Sequence, residues 1–171
     1  MMSKVKKVLL VVLMLCKICA AQTIHVEEEN IIYKGTIPVP VAPANELISR
    51  INKIIGDHID DKKNYKRRTG SSPNTLACIN SIKLSNSNRH LKEFTFRVEV
   101  AIENGYCHYT IDSFYLVEKE PAAKPVETSA KELLKKMESS GPVAAATERD
   151  LNEMDMNIEK FIDFIRNGMK E

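Results

Sequence analysis

The 171-residue sequence lacks the motifs that identify most enzymes. It holds only six glycines, with no G-x-S-x-G nucleophile motif, no glycine-rich phosphate loop and no H-E-x-x-H metal motif. Its composition, 43% hydrophobic and 28% charged, excludes a disordered tail, and its length excludes a multidomain enzyme of ordinary size. Internal repeats and low-complexity tracts are also missing. The sequence therefore describes one small domain whose function no motif identifies.

An excess of positive charge is missing as well. The chain has 25 basic and 23 acidic residues, a formal net charge of +2. Four lysines and no acidic residue precede residue 22, which leaves 21 basic and 23 acidic residues after it. This part is slightly acidic, which argues against a nucleic-acid or anionic-membrane partner.

Residues 1–21 have the three regions of a secretory signal. A cationic start is followed by the apolar stretch Val8–Cys16 and by small residues that end at Ala21. The stretch is about half the ~20 residues that a membrane span needs, and Lys17 follows it. We expect cleavage before Gln22 and a secreted or periplasmic protein without a membrane span. A lipoprotein is less favoured, because no small residue precedes Cys16 or Cys19.

The segment after the signal begins with strand and helix patterns. The β-branched run Ile31–Val41 predicts an edge strand that ends at its prolines. In residues 43–59, apolar residues at spacings of three and four predict an amphipathic helix. A further strand is expected over Leu76–Leu84.

Two alternating runs between Phe94 and Val117 flank Asn104–Gly105, the preferred centre of a type I′ hairpin turn. The expected register pairs Arg97 with Asp112 across one face. On the other face it predicts the pairs Ile102–Cys107, Val100–Tyr109, Val98–Ile111, Phe96–Ser113 and Phe94–Tyr115.

A proline-containing linker over residues 120–127 separates this part, residues 22–119, from a helical segment over residues 128–171. Ser129 and Glu132 form a capping box at the start of the first helix, which Gly141–Pro142 ends. A final helix carries an apolar stripe and is expected to be capped by Asn167–Gly168.

The order of these elements, with Tyr33–Val39 before Glu46–Leu47 and then Asn104–Ile111, resembles a family of exported Bacteroidetes proteins. That family is a domain of unknown function with a TATA-binding-protein-like (TBP-like) fold. The resemblance implies an α+β fold: an antiparallel sheet of about five strands with a helix packed on one face, followed by a C-terminal helical tail. It supplies no catalytic, cofactor-binding or metal-binding residue, and the name of a fold is no argument for DNA binding.

Residue types that could carry chemistry are dispersed. The histidines His25, His58, His90 and His108 have no metal-ligand spacing, so we expect no metal site. In the cluster Asp57, Asp60 and Asp61, lysines occupy the positions where further calcium ligands would be needed. A solvated edge explains the basic run Lys62–Arg68 better than a nucleic-acid surface does. The aromatic residues Tyr106, Tyr109, Phe114 and Tyr115 fit a sheet core better than a carbohydrate platform.

Removal of the signal leaves Cys78 and Cys107. If a whole strand separates them, two strand spacings of about 4.8 Å place their Cα atoms roughly 9 to 10 Å apart. A disulfide needs less than about 7 Å. We therefore expect two buried free thiols, with a disulfide as the alternative.

The leading functional hypothesis is an exported, non-enzymatic binding or accessory module of the bacterial cell envelope. It would contact an envelope protein or ligand through the free sheet face or the C-terminal helix. One alternative is an envelope enzyme whose site includes His108, Glu99 or Asp112. Another is a structural subunit that assembles with itself. The sequence leaves the ligand and the oligomeric state open.

Overall fold

The computed structural model describes residues 26–57, 66–69, 74–85, 91–120 and 123–170. Three helices lie in these ranges: α1 (Ala44–Asp57), α2 (Ala130–Glu138) and α3 (Pro142–Gly168). The eight strands are β1 (Val26–Glu27), β2 (Asn30–Ile31), β3 (Tyr33–Pro38), β4 (Lys66–Thr69), β5 (Thr75–Lys83), β6 (Leu91–Glu103), β7 (Tyr106–Lys119) and β8 (Val126–Ser129).

The main sheet is antiparallel, with strand order β3-β7-β6-β5-β4. β8 also pairs with β7, beyond the end of β3, while β1 and β2 form a separate short ribbon. The expected α+β fold, with a five-strand antiparallel sheet and a C-terminal helix, is confirmed. Val126 and Glu127, which the sequence assigns to a linker, lie in β8.

One face of the sheet forms the core with the helices. Side chains of β6 such as Phe96, Val98 and Val100 are buried there, and apolar residues of α1 and α3 cover them. The Phe161 ring of α3 meets the Phe96 ring edge to face, at a centroid distance of 6.2 Å. The apolar stripe of the last helix therefore packs on the sheet.

α3 also makes a buried polar contact with the edge of the sheet. The Tyr33 hydroxyl of β3 donates a 2.6 Å hydrogen bond to Oδ1 of Asp155. Burial raises the pKa of this hydroxyl, and the bond to Asp155 raises it further. The tyrosine therefore stays protonated and donates this hydrogen bond at neutral pH. The bond satisfies the carboxylate of Asp155, which is only 2% exposed.

The end of α3 differs from the expectation. Gly168 is the last helical residue, and the C-cap is Met169 in a right-handed conformation. Gly168 lies so close to Ile54 of α1 that an added Cβ would come within 2.6 Å of its Cδ1. The glycine thus permits close packing of α1 and α3, and its predicted role as a left-handed cap is wrong. The right-handed C-cap Met169 is buried in the core.

The predicted starts of the last two helices and the predicted hairpin turn are confirmed. Ser129 and Glu132 form both hydrogen bonds of the capping box at α2. Gly141, with φ of 101°, precedes Pro142 at the first position of α3. Asn104 and Gly105 have φ of 51° and 79°, the left-handed pair of a type I′ turn.

The β6–β7 register is confirmed from this turn as far as Arg97 opposite Asp112. Beyond that point it is wrong by one residue, because β7 contains a bulge. Ser113 has φ of 56°, so that two residues of β7 lie opposite Phe96. The observed pairs are Thr95–Tyr115 and Phe94–Leu116. Phe114 and Leu116 are buried as a result, while Tyr115 is 44% exposed.

Cys78 and Cys107 are free and buried, as expected. β6 separates them: Cys78 pairs with Val98, and Cys107 pairs with Ile102. Burial raises the pKa of both thiols to about 12. Neither is a thiolate at neutral pH, so neither acts as a nucleophile in this state.

Candidate functional site

The sheet face away from the helices carries the main polar surface. Because side chains alternate along a strand, residues between the core positions of β3, β6 and β7 point to this face. They are Lys34, Thr36, Arg97, Glu99, His108, Thr110 and Asp112. We call these seven residues the exposed sheet face.

An ion pair with two hydrogen bonds lies at its centre. Arg97 Nε donates to Asp112 Oδ1 at 2.8 Å and Nη2 donates to Oδ2 at 2.7 Å. Ser113 Oγ donates to the same Oδ1 at 3.0 Å, and Glu99 lies 3.7 Å from Arg97 Nη1. The guanidinium bonds and the Ser113 hydroxyl hold the pKa of Asp112 below its ordinary value. Asp112 is thus a permanent anion at neutral pH, held in a fixed geometry.

A cleft of about 300 Å³ opens beside this pair, where β7 passes from β3 to β8. β3 pairs with β7 only as far as Ile111, and the pairing of β7 with β8 begins at Tyr115. The bulge at Ser113 lies between these two pairings and forms the cleft floor. The lining residues are Asn30, Ile31, Ile32, Asp112, Ser113, Phe114, Tyr115, Ser129, Ala130 and Lys131. We call this the bulge cleft.

The charges in the bulge cleft are paired within the protein. Asp112 is held by Arg97, and Lys131 makes an ion pair with Glu29. The N-terminus of α2 is occupied by Glu132, whose carboxylate accepts the Ser129 backbone N–H at 3.0 Å. The cleft therefore presents neutralised polar groups next to the exposed ring of Tyr115.

This architecture has counterparts among solved structures. It matches a TBP-like protein from Parabacteroides distasonis ATCC 8503 with a TM-score of 0.66 and 9% identity, over 84% of this chain and 95% of that one. The chain has a TBP-like fold. A DUF4468 family protein from Bacteroides ovatus ATCC 8483 matches with a TM-score of 0.59 and 12% identity, over 86% of this chain and 91% of that one.

The resemblance inferred from the sequence is confirmed at the level of the fold, and both neighbours come from Bacteroidetes. At these identities the likeness concerns the TBP-like architecture alone. No protein-family model matches the sequence, and no curated protein matches it.

The residues considered for catalysis lie on one face of the TBP-like sheet but are not brought together. His108 Nδ1 lies 3.3 Å from Thr36 Oγ1, across β3 and β7. Asp112 is four residues further along β7, roughly 13 Å away at 3.3 Å per residue. Glu99 contacts Arg97 instead of the histidine. The lowered pKa of Asp112 also suits an ion pair better than a general acid.

The four aromatic residues of β7 divide between core and surface. Phe114 is buried and stacks on Phe96 at 5.4 Å. Tyr109 lies over Gly35 on the helix side, where an added Cβ would come within 2.3 Å of its hydroxyl. Tyr106 and Tyr115 are about half exposed. Only these last two are placed to contact a partner.

Several other candidates lie outside the described residues: residues 1–25 with the signal and His25, His58, Asp60, Asp61, Lys62, Lys63, Tyr65 and His90. Asp57 is exposed at the end of α1, and residues 66–68 lie in β4. Within the described ranges, no group of three or more His, Cys, Asp or Glu is placed to bind a metal ion. No helix in those ranges has the length and apolarity of a membrane span.

The bulge cleft was not found from the sequence. The only local signal lies in Ser113–Val117. Burying the even-numbered positions or the odd-numbered positions of this segment places apolar residues on the core face in both cases. Partly buried ion pairs were also missed: Glu93 with Lys119, and Lys92 with Asp150 and Glu118. Two of these contacts lie in the β6–β7 hairpin beyond the bulge, where the expected register is wrong, and the contact with Asp150 joins β6 to the distant α3.

Proposed function

We propose that the protein is an exported, non-enzymatic binding or accessory module of the bacterial cell envelope. In this proposal its partner contacts the exposed sheet face and the adjoining bulge cleft. The observation that carries the proposal is the fixed Arg97–Asp112 pair beside an open cleft, on the side of the sheet that α1 and α3 leave uncovered.

The chemistry of this surface suits a protein partner. Arg97 is 48% exposed, and Tyr115 and Ile79 are each 44% exposed on the same face. Arginine and tyrosine dominate the binding energy of many protein interfaces. Arg97 is already held by Asp112, so binding costs little of its side-chain entropy.

Export is supported by the three-region pattern of residues 1–21. The test is to express the full chain in a Bacteroides host, fractionate the cells, and determine the N-terminus and intact mass. We expect a soluble envelope or secreted form that begins at Gln22. Retention in the cytoplasm, or an acylated Cys16 or Cys19, would overturn this part of the proposal.

The binding surface is tested by site-specific photocrosslinking in the native envelope. A crosslinker at Thr110 on the exposed sheet face is compared with one at Lys53, an exposed residue of α1. We expect a discrete crosslinked partner from position 110, whose yield falls at least about tenfold with Arg97→Glu, because the reversed charge would oppose the charge that the partner presents to Arg97. Lys53→Glu is the matched charge reversal and should leave the yield unchanged.

Equal crosslinking from both positions, or none, would contradict the proposed surface. Crosslinks between copies of the chain would instead support the self-assembling subunit. Size measurement in solution distinguishes this last outcome, because a binding module stays monomeric without its partner.

A further inference from the structure

The bulge cleft has the size and the fixed floor of a site for a small ligand. Its volume of about 300 Å³ lies at the lower end of the range that is typical of such sites. Ile31 and Phe114 in its lining are each 1% exposed. The Phe114 ring lies between the rings of Tyr33 and Phe96, at centroid distances of 5.8 and 5.4 Å. Because this floor is already packed, a ligand has little ordering to impose on it.

The charges of the cleft favour a neutral ligand. Its two charged lining residues, Asp112 and Lys131, have opposite signs. Each has a counter-ion in the protein: Asp112 accepts two hydrogen bonds from Arg97, at 2.8 and 2.7 Å, and Lys131 pairs with Glu29. A charged ligand would have to compete with one of these ion pairs or enter without a partner, which costs desolvation energy. A neutral ligand has no such cost.

The short polar side chains of the cleft donate hydrogen bonds to protein atoms and keep oxygen lone pairs for a ligand. Asn30 Nδ2 donates to the Glu28 carbonyl at 3.2 Å, which leaves Asn30 Oδ1 as an acceptor. Ser113 Oγ donates to Asp112 Oδ1 at 3.0 Å and keeps its own lone pairs. Asp112 Oδ2 accepts one bond from Arg97 and has a lone pair for another. These acceptors favour a ligand with several hydrogen-bond donors.

An aromatic ring lies beside these acceptors. Tyr115 lines the cleft together with Asp112 and is 44% exposed. Its β-strand partner Ser129 also lines the cleft. The face of an aromatic ring carries partial negative charge and attracts C–H groups that carry partial positive charge. The cleft therefore suits a ligand with one C–H face and with hydroxyl groups at its edge.

We propose that the bulge cleft binds one neutral sugar ring, with its C–H face against Tyr115 and its hydroxyl groups donating to Asp112 Oδ2 and Ser113 Oγ. This inference rests on the proposed function and names what the partner places in the cleft. A pyranose combines zero net charge, several donors on one small ring and an apolar face, whereas a neutral protein side chain offers fewer donors. The sugar belongs to a glycan on the partner protein or to a polysaccharide of the envelope.

The test is an NMR titration of the chain from Gln22 onwards with the methyl glycosides of glucose, galactose, mannose and N-acetylglucosamine. We expect saturable binding of at least one glycoside, with a dissociation constant of about 1–10 mM for a single ring. The amide signals of Ser113, Tyr115 and Ser129 should shift, and that of Lys53 on α1 should not. No shift with any glycoside at about 50 mM would overturn the proposal.

Charged sugars test the neutrality of the site. Methyl glucuronide carries a carboxylate and methyl glucosaminide an ammonium group on the same ring as methyl glucoside. Neither should bind more tightly than the neutral glycosides, because both lining charges are already paired. Binding of either charged sugar at least about tenfold more tightly than any neutral one would overturn the proposal.

Two variants of one residue locate the ring contact. Tyr115→Ala should weaken binding of the glycoside at least about tenfold, because it removes the aromatic face. Tyr115→Phe keeps that face and should bind within about twofold of the wild type. Each variant is first shown to keep the wild-type circular dichroism spectrum. Unchanged affinity of Tyr115→Ala, or equal losses in both variants, would overturn the proposed contact.

Crosslinking from position 110 separates this inference from the proposed function. A discrete crosslinked partner without binding of any glycoside would leave the partner surface in place and show that the sugar is wrong. A saturating concentration of the bound glycoside should lower the crosslinking yield if the partner carries the sugar. If a polysaccharide carries it, the chain should sediment with protein-free envelope polysaccharide and lose this with Tyr115→Ala. Neither competition nor sedimentation would overturn the inference.

Discussion

The β6–β7 hairpin has two halves that are organised differently. From the Asn104–Gly105 turn to Arg97, the two strands pair without a bulge. Successive side chains alternate between the buried face and the exposed face of the sheet. Beyond Asp112, the bulge at Ser113 shifts the pairing by one residue. The bulge cleft borders this second half.

The difference shows what a tight turn determines and where its influence ends. A type I′ turn aligns the strands next to it, and a hydrophobic face keeps that alignment. The extra residue of a β-bulge shifts the pairing for every residue beyond it. In this protein the bulge interrupts the regular ladder at the point where a surface for binding is formed.

The largest expected effect is in the regular half. Val98 is 1% exposed on the core face, so Val98→Asp buries an unpaired charge and should destabilise the fold by about 5 kcal/mol. Urea unfolding followed by circular dichroism measures this. Glu99→Ala, the next residue on the exposed face, is the control and should change stability by less than about 0.5 kcal/mol. Comparable costs for the two variants would contradict the register.

The next effect tests the shifted half. Phe114→Ala removes a ring that is 1% exposed and should cost about 4 kcal/mol. Tyr115→Ala removes a neighbouring ring that is 44% exposed and should cost about 1 kcal/mol or less. An unbulged strand would place Tyr115 in the core instead. A larger cost for Tyr115→Ala than for Phe114→Ala would therefore disprove the bulge.

A smaller effect addresses the bulge residue itself. Ser113 has φ of 56°, a conformation that costs a residue with a side chain about 1–2 kcal/mol. Ser113→Gly and Ser113→Val both lose the hydroxyl bond to Asp112, but only glycine adopts this conformation without strain. Thermal unfolding should show the glycine variant to be more stable than the valine variant by about 1–2 kcal/mol. Equal stabilities would mean that residue 113 is not left-handed.

The smallest effect concerns the ion pair at the border of the two halves. Arg97→Ala should cost no more than about 1 kcal/mol at neutral pH, because the pair is partly exposed. The lowered pKa of Asp112 means that the pair stabilises the fold fully above the ordinary carboxyl pKa. This contribution is lost as the pH falls through the lowered value. The difference in free energy of unfolding between the wild type and Arg97→Ala should therefore become smaller as the pH is lowered. A difference that does not change with pH would contradict the ion pair.

Local signals in the sequence predicted much of the fold. The turn at Asn104, the capping box at Ser129 and the stripe of α3 each depend on residues within a few positions of one another. The bulge could not be predicted, because Ser113–Val117 is compatible with a core strand in either register. The pairing of this segment with β8 decides between the two registers.

The position of α3 has a consequence for how the chain is made. The hydroxyl of Tyr33 and the carboxylate that accepts its bond are 122 residues apart, and α3, one of the two helices that cover the sheet, follows all the described strands in the sequence. While the chain grows from the N-terminus, the sheet residues therefore emerge before the residues that close their core. Contacts of such long range delay folding. The core is therefore incomplete until α3 has been synthesised, and the proposed export would have this interval in which to engage the polypeptide.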